Sequence, residues 1–392
     1  MNSFWVRLSP DTFIFIDRAK LLLYHIKNHK CVEVDNNAFV SRFFDHMSIL
    51  DNLYCMEISE QDYLLHHELF KAIEGNEFGD CVKTSPENKP VSYSPVCKIH
   101  KSLEMIKADY NEHCAGYILN FLLDLTIYLS DVSNDSIVYA KQIPYQIKNK
   151  NMLDCAELLC FMDSLKGANV KNLSIGCSLK ALEKYYRFFD LLKRLNYRTN
   201  FIISSNEYRS LSSIPDALTS FHMFVIYTGM EPPIEDEVSN HIFIVTNTSE
   251  LEHALSFRSV LDNMEIHPAY TGDNIEFFKD NVFTTKENLF SLHLTKRELF
   301  ARKEINTNFF GKITVLPDGN IYSNLQEKPL GTIKDSLYEM LYKELTGGFA
   351  WMLTRDKKEP CAQCRFKFLC PPISNYEFAI GKFNLCHLTS EQ

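Results

Sequence analysis

Short apolar runs divided by turn residues open the chain: Trp5 to Leu8, Thr12 to Ile16, then Leu21 to Tyr24 running on through Lys30 to Val34. With turn signals at Ser9-Pro10-Asp11 and Asn28-His29, they predict three strands. A helix is expected next, capped by Asp35 or Asn36, because Phe39, Phe43 and Phe44 recur at the spacing of one buried face. Residues 74 to 96 hold Gly75, Gly79, Pro86, Pro90 and Pro95 without periodicity, and predict a loop or linker.

From about residue 117 to 300 strand and helix patterns alternate. Strands are predicted over Leu123 to Leu129, Leu173 to Cys177, Phe201 to Ser205, Phe221 to Tyr227 and Ile242 to Thr246, several rich enough in Phe, Ile and Val to be covered on both faces. Between them, Leu153 to Leu165 and Ala181 to Leu195 read as helices. Tyr186 and Leu195 are expected on the buried face of the second, with Leu182, Tyr185, Phe189 and Leu192. Repeated β-α pairs imply a parallel sheet, and the length holds only five or six of them, so an open half-barrel or doubly wound sheet is expected rather than a closed barrel. A hairpin follows around Pro317-Asp318-Gly319-Asn320, joining Ile313–Leu316 to Ile321–Tyr322. Thr332, with Asp335 three residues on, is expected to cap a helix striped by Ile333, Leu337, Met340 and Leu341.

At 392 residues the chain is too long for one small module, and two or three domains are expected. The net charge of −9 gives a phosphate backbone no general attraction, which argues against a nucleic-acid partner. No apolar run is long enough to cross a bilayer, and the N-terminus lacks the signature of an export signal, so a soluble, cytoplasmic protein is expected. With only 13 Gly, the chain shows no glycine-rich phosphate loop, and none of its Ser residues sits in a Gly-x-Ser-x-Gly elbow.

The chemistry concentrates at the end. Of 12 Cys, four fall in the last 32 residues: Cys361, Cys364 and Cys370 in a C-x2-C-x5-C run, and then Cys386. Four soft thiolates suit either a tetrahedral zinc or an iron-sulfur cubane, and spacing alone does not choose. His387 is an alternative to Cys386. Cys155 and Cys160, five apart on one predicted helix, face different ways and read as buried fillers. His113-Cys114 reads as structural, and the pairs His66-His67 and His25/His29 have no ligand partner at metal spacing.

In order, the hairpin Gly311-Lys-Ile-Thr-Val-Leu-Pro-Asp-Gly-Asn-Ile-Tyr322, the segment Pro329-Leu-Gly331-Thr-Ile-Lys-Asp and the C-x2-C-x5-C run resemble the SPASM region of radical-SAM peptide maturases, which binds auxiliary iron-sulfur clusters. Ser323 and Asn324 stand where a cysteine usually follows the hairpin, and Ser374 where the fourth cysteine usually comes. The resemblance therefore implies one [4Fe-4S] cluster, on Cys361, Cys364, Cys370 and Cys386, with zinc the alternative.

It also implies that the middle section is a radical-SAM half-barrel, yet the first strand runs into Ser130 to Ala140 with no C-x3-C-x2-C motif. Ile175-Gly176-Cys177-Ser178-Leu179 likewise lacks the second glycine and the acid of the family's methionine-binding turn. No S-adenosylmethionine is expected, and no catalytic residue is assigned. The whole resembles pseudo-radical-SAM proteins that accompany true radical-SAM maturases of ribosomally made peptides. Three parts are expected: a small α+β module over 1–105, similar to peptide-recognition modules that capture a leader peptide as an added strand beside a helix; a degenerate partial (β/α) barrel over 106–300; and a SPASM-like domain over 301–392. The partners implied are a radical-SAM maturase, in a hetero-oligomer, and a precursor peptide. Two alternatives are a zinc-stabilised interaction protein and an enzyme acting without a radical-SAM cluster.

Overall fold

A computed structural model describes residues 3–85, 89–99, 101–113, 115–132, 141–142, 149, 151–195, 197–234 and 240–388. The first layer consists of two three-stranded antiparallel sheets. Strands β1 (Ser3–Leu8), β2 (Thr12–Ile16), β3 (Lys20–His25), β4 (Cys31–Asp35), β5 (Cys55–Ser59) and β6 (Gly79–Lys83) pair in the orders β5-β1-β6 and β2-β3-β4. The run expected to continue from Leu21 to Val34 is broken into β3 and β4, and β6 lies inside the stretch predicted to be linker. The helix comes where expected, over Ala38–Ser48, but its cap is Asn37, whose side chain accepts from the N–H groups of Phe39 and Val40.

Pleating gives the β2-β3-β4 sheet two working faces. Leu21 and Leu23 face the Ala38–Ser48 helix with Phe39, Val40 and Phe43. Phe13, Phe15, Leu22 and Tyr24 face the other way, against Leu299, Phe300, Phe366 and Leu369 from far along the chain. The N-terminal module is thereby seated on the cysteine-bearing segment.

A nine-stranded sheet forms the middle. Its strands β7 (Asp124–Tyr128), β8 (Asn172–Gly176), β9 (Arg198–Ser204), β10 (His222–Thr228), β11 (Asn240–Val245) and β12 (Met264–Pro268) run parallel in that spatial order. On the other side of β7 lie β13 (Lys312–Val315), parallel to it, and then β14 (Asn320–Tyr322) and β15 (Gly331–Thr332), antiparallel. The sheet has two ends, β12 and β15, as expected of an open rather than a closed arrangement, and the predicted hairpin extends it. All six residues of β11 are buried, as in a strand covered on both faces. Gly176 closes β8 where only a glycine fits, because a Cβ there would lie 2.4 Å from the Tyr128 ring.

Two helical expectations need correction. Tyr186 and Leu195 are exposed, 56% and 39%, because the predicted helix begins as a 3-10 turn over Leu179–Tyr185 that rotates the face seen by the α-helix Tyr186–Leu195. Thr332 does bond Asp335, but within a turn; Ser336 caps the helix, Leu337–Gly347.

That helix carries Glu344, fully buried, accepting the N–H groups of Ala350 and Trp351 at 2.7 Å each. Burial raises its carboxyl above the ordinary 4.5, against those same hydrogen bonds. A raised acid favours the fold fully below its ordinary value, and that contribution is lost as pH rises through the raised one. Glu344→Gln, which keeps an acceptor and removes the charge, is expected to match or exceed the parent in urea unfolding at pH 8 and to flatten its pH dependence. Glu344→Ala is expected to lose about 1–3 kcal/mol for each bared N–H.

Candidate metal centre

After Gly348, whose left-handed φ of 68° ends the helix, the chain has almost no regular structure and is held by side chains. Asn306, buried, donates to the carbonyls of Leu353 (3.0 Å) and Ile373 (2.9 Å). A 3-10 turn over Cys361–Gln363 brings the Cys364 N–H to the Cys361 carbonyl at 3.0 Å, the compact turn expected of C-x2-C. Cys370 follows another turn, its N–H 2.8 Å from the Phe366 carbonyl. Cys386 arrives by a β-bridge to Thr284, fixed by Thr284 N–H to Leu385 and His387 N–H to Thr284, both 3.0 Å.

All four predicted cysteines line one cavity, together with Asp17, Arg355, Arg365 and Leu388. Among the described residues, no three His, Cys, Asp or Glu side chains converge closely enough to hold a single metal ion. Burial pushes each of three thiols upward: Cys364 to about 11, with Cys361 and Cys370 also raised. Without a cation they are protonated, and any metal would have to displace those protons.

Arg355 organises the site. Buried, it donates to the carbonyls of Pro371 and Phe383, lies 2.7 Å from Glu377 Oε1, and approaches Cys361 Sγ at 3.6 Å. It thus ties three cysteine-bearing stretches to one positive charge, which favours a thiolate or an anionic cluster. Arg302 adds donors to the carbonyls of Leu369 and Cys370. Arg365, between two of the cysteines, crosses to the N-terminal sheet and meets Asp17 and Glu33 at 2.5 Å each. None of these three arginines was singled out in the sequence. The available signal was Arg365 itself, a cation inside an apolar run, which demands partners when buried.

Other predicted positions fall elsewhere. His387 does not line the cavity; its ring meets the Lys279 carbonyl at 2.9 Å. Ser374, in the usual place of a fourth cysteine, caps the helix Asn375–Ile380 in a reciprocal box with Glu377. Ser323 and Asn324 are buried beyond β14. Cys160 is exposed and so is not the filler expected of it, while Cys155 is half-buried against the core. Cys114 lies outside the described residues.

At the carboxyl ends of β7 to β9, Ser130, Asp131, Ser178, Lys180 and Glu207 border a cleft together with the apolar Val132, Met152 and Ala181, the usual ligand position on a parallel sheet. Residues 133–140, which the sequence shows to hold no cysteine, lie outside the described part. Cys177 sits beneath the cleft, its thiol pushed up to about 12 by burial and donating to the Ser178 carbonyl at 3.3 Å. An acid does stand at the second turn, although from another element: Glu207 accepts from the Ser178 hydroxyl at 3.0 Å and the Leu179 N–H at 3.3 Å.

No family model and no curated protein matches the chain. Among solved structures, it is similar to Streptococcus suis SuiB bound to precursor peptide SuiA, at 12% identity and a TM-score of 0.46 over 98% of this chain and 100% of that one. A heterocyclase in complex with substrate and cofactor aligns with 50% of this chain and 23% of its own, at 8% identity and a TM-score of 0.13. At these scores neither likeness establishes a shared fold or activity.

Proposed function

We propose that the chain is a non-catalytic, radical-SAM-like partner in the modification of a ribosomally made peptide, with one auxiliary [4Fe-4S] cluster on Cys361, Cys364, Cys370 and Cys386. The observation that carries this is the gathering of those four thiols round one cavity, in a chain whose middle is an open, mostly parallel sheet. The donor set fits the group: four soft sulfurs in a buried space, with the Arg355 guanidinium 3.6 Å from one of them to offset negative charge.

Such a cluster would hold the irregular tail and supply a one-electron relay. The chain's own residues do the rest: Arg355 and Asn306 hold the loops, and Phe366 lines the cavity. On this reading the half-barrel pairs with an active radical-SAM maturase, and the N-terminal module takes the precursor peptide. Co-expression with the radical-SAM proteins of its own genome, followed by light scattering on the purified mixture, is expected to give a heterodimer. Separate monomers with every candidate would contradict the partner role.

A further inference from the structure

A further cavity, of about 460 Å³, shares no bordering residue with the cysteine cavity or with the cleft of the sheet. Its border comes from the helix Lys296–Glu304 and the residues after it, from the end of the 3-10 turn Gly116–Phe121, and from Leu123 just before β7. It therefore sits at the amino end of β7, whereas the cleft opens at the carboxyl end. Six of its residues are apolar: Ile99, Phe121, Leu123, Ala301, Ile305 and Phe310. The rings of Phe121 and Phe310 stand edge to face, with centroids 5.9 Å apart, and a third ring can add to such a pair stacked or edge-on.

The remaining border is Thr307 and three charged residues of the one helix, Arg297, Glu298 and Arg302. Glu298 is already engaged, accepting the N–H and the hydroxyl of Thr295 at 2.7 Å each in the cap of that helix. The arginines are not. Among the described residues the ion pairs of arginine are those of Arg7, Arg42, Arg209, Arg355 and Arg365. Arg302 uses Nη1 alone, donating to the carbonyls of Leu369 and Cys370, and among the described residues its Nε and Nη2 have no acceptor. Burial lowers its guanidinium from the ordinary arginine value, since the charges around it do not replace the lost water. A cation set among apolar side chains with donors to spare is suited to an anion.

We propose that this cavity binds a small aromatic carboxylate, with its ring against Phe121 and Phe310 and its carboxylate on the spare donors of Arg302. Arg297, exposed at the rim, adds positive charge. The volume is that of an ordinary small-molecule pocket, and a neutral ligand of the same shape would leave the guanidinium donors unpaired. This goes beyond the partner role proposed above and does not depend on a metal at the cysteines.

Calorimetry on the full chain at pH 7.5 tests it, with naphthalene-2-carboxylate and naphthalene-2-carboxamide as the probes. The acid is expected to bind with a Kd under about 1 mM and about tenfold tighter than the amide. Arg302→Gln should bring the two compounds within about twofold of each other. Because Arg302 also holds the loop of Cys370, a second variant leaves it in place: Ala301→Phe fills the cavity and should abolish binding of both. No binding of the acid, equal binding of acid and amide, or parental binding by Ala301→Phe would overturn the inference; none of these outcomes bears on the metal content that tests the cysteines.

Discussion

Arg365→Met is expected to cost the fold about 3–5 kcal/mol, the loss typical of removing one member of a buried ion network. The guanidinium and both its carboxylate partners are at most 9% exposed, so nothing nearby replaces the missing charge for Asp17, while Glu33 keeps Lys286. Burial alone would raise the Asp17 carboxyl, but Arg365 and the Lys20 N–H outweigh it and hold the group below its ordinary 3.8. A depressed acid gives its stability above the ordinary value and loses it as pH falls through the depressed one, so the parent should weaken in acid and the variant should not share that decline. Adding Asp17→Asn and Glu33→Gln to Arg365→Met should recover much of the loss, because the harm is the uncompensated charge. Urea unfolding at pH 7 and at about pH 2 measures both effects; a single variant within about 1 kcal/mol of the parent at pH 7 would show that the N-terminal sheet is not held by this contact.

On the proposed reading of the four cysteines as metal ligands, Cys370→Ser should abolish metal binding and loosen the stretch from about Arg355 to Leu388. That stretch is built from turns and one six-residue helix, so the proposed group and the side chains of Asn306, Arg302 and Arg355 share the work of holding it. Cys364→Ala should act alike. Hydrogen exchange should rise over the tail and over β2 to β4, whose inner face rests on Phe366 and Leu369. Cys160→Ser, at an exposed position, should change neither metal content nor exchange. A Cys370→Ser protein with parental metal content and exchange would remove the cysteines from the account.

Much of the framework was legible because it depends on local pattern. Strand β2 occupies the predicted Thr12–Ile16, and the Pro-Asp-Gly-Asn turn located β13 and β14. What escaped lacked such a pattern. Strand β6 reads Gly-Asp-Cys-Val-Lys, and β12 ends in His-Pro; both lie at sheet edges, where tertiary pairing rather than propensity makes the strand. The same division runs through the site. Four cysteines announce themselves by spacing, whereas Asp17 lies 348 residues from Arg365, and no local rule joins them. Arg355 and Asn306 are ordinary surface residue types in the sequence, and only the irregular backbone around them makes their donors indispensable.

The central claim is that the tail cysteines carry an iron-sulfur cluster and the cleft of the sheet carries none. Anaerobic purification with iron, acid-labile sulfide and zinc determination on the parent and Cys370→Ser proteins tests it most directly. The account predicts equal iron and sulfide amounting to one cubane per parent chain, with neither in the variant. Zinc in the parent, or a cluster that survives Cys370→Ser, would contradict it.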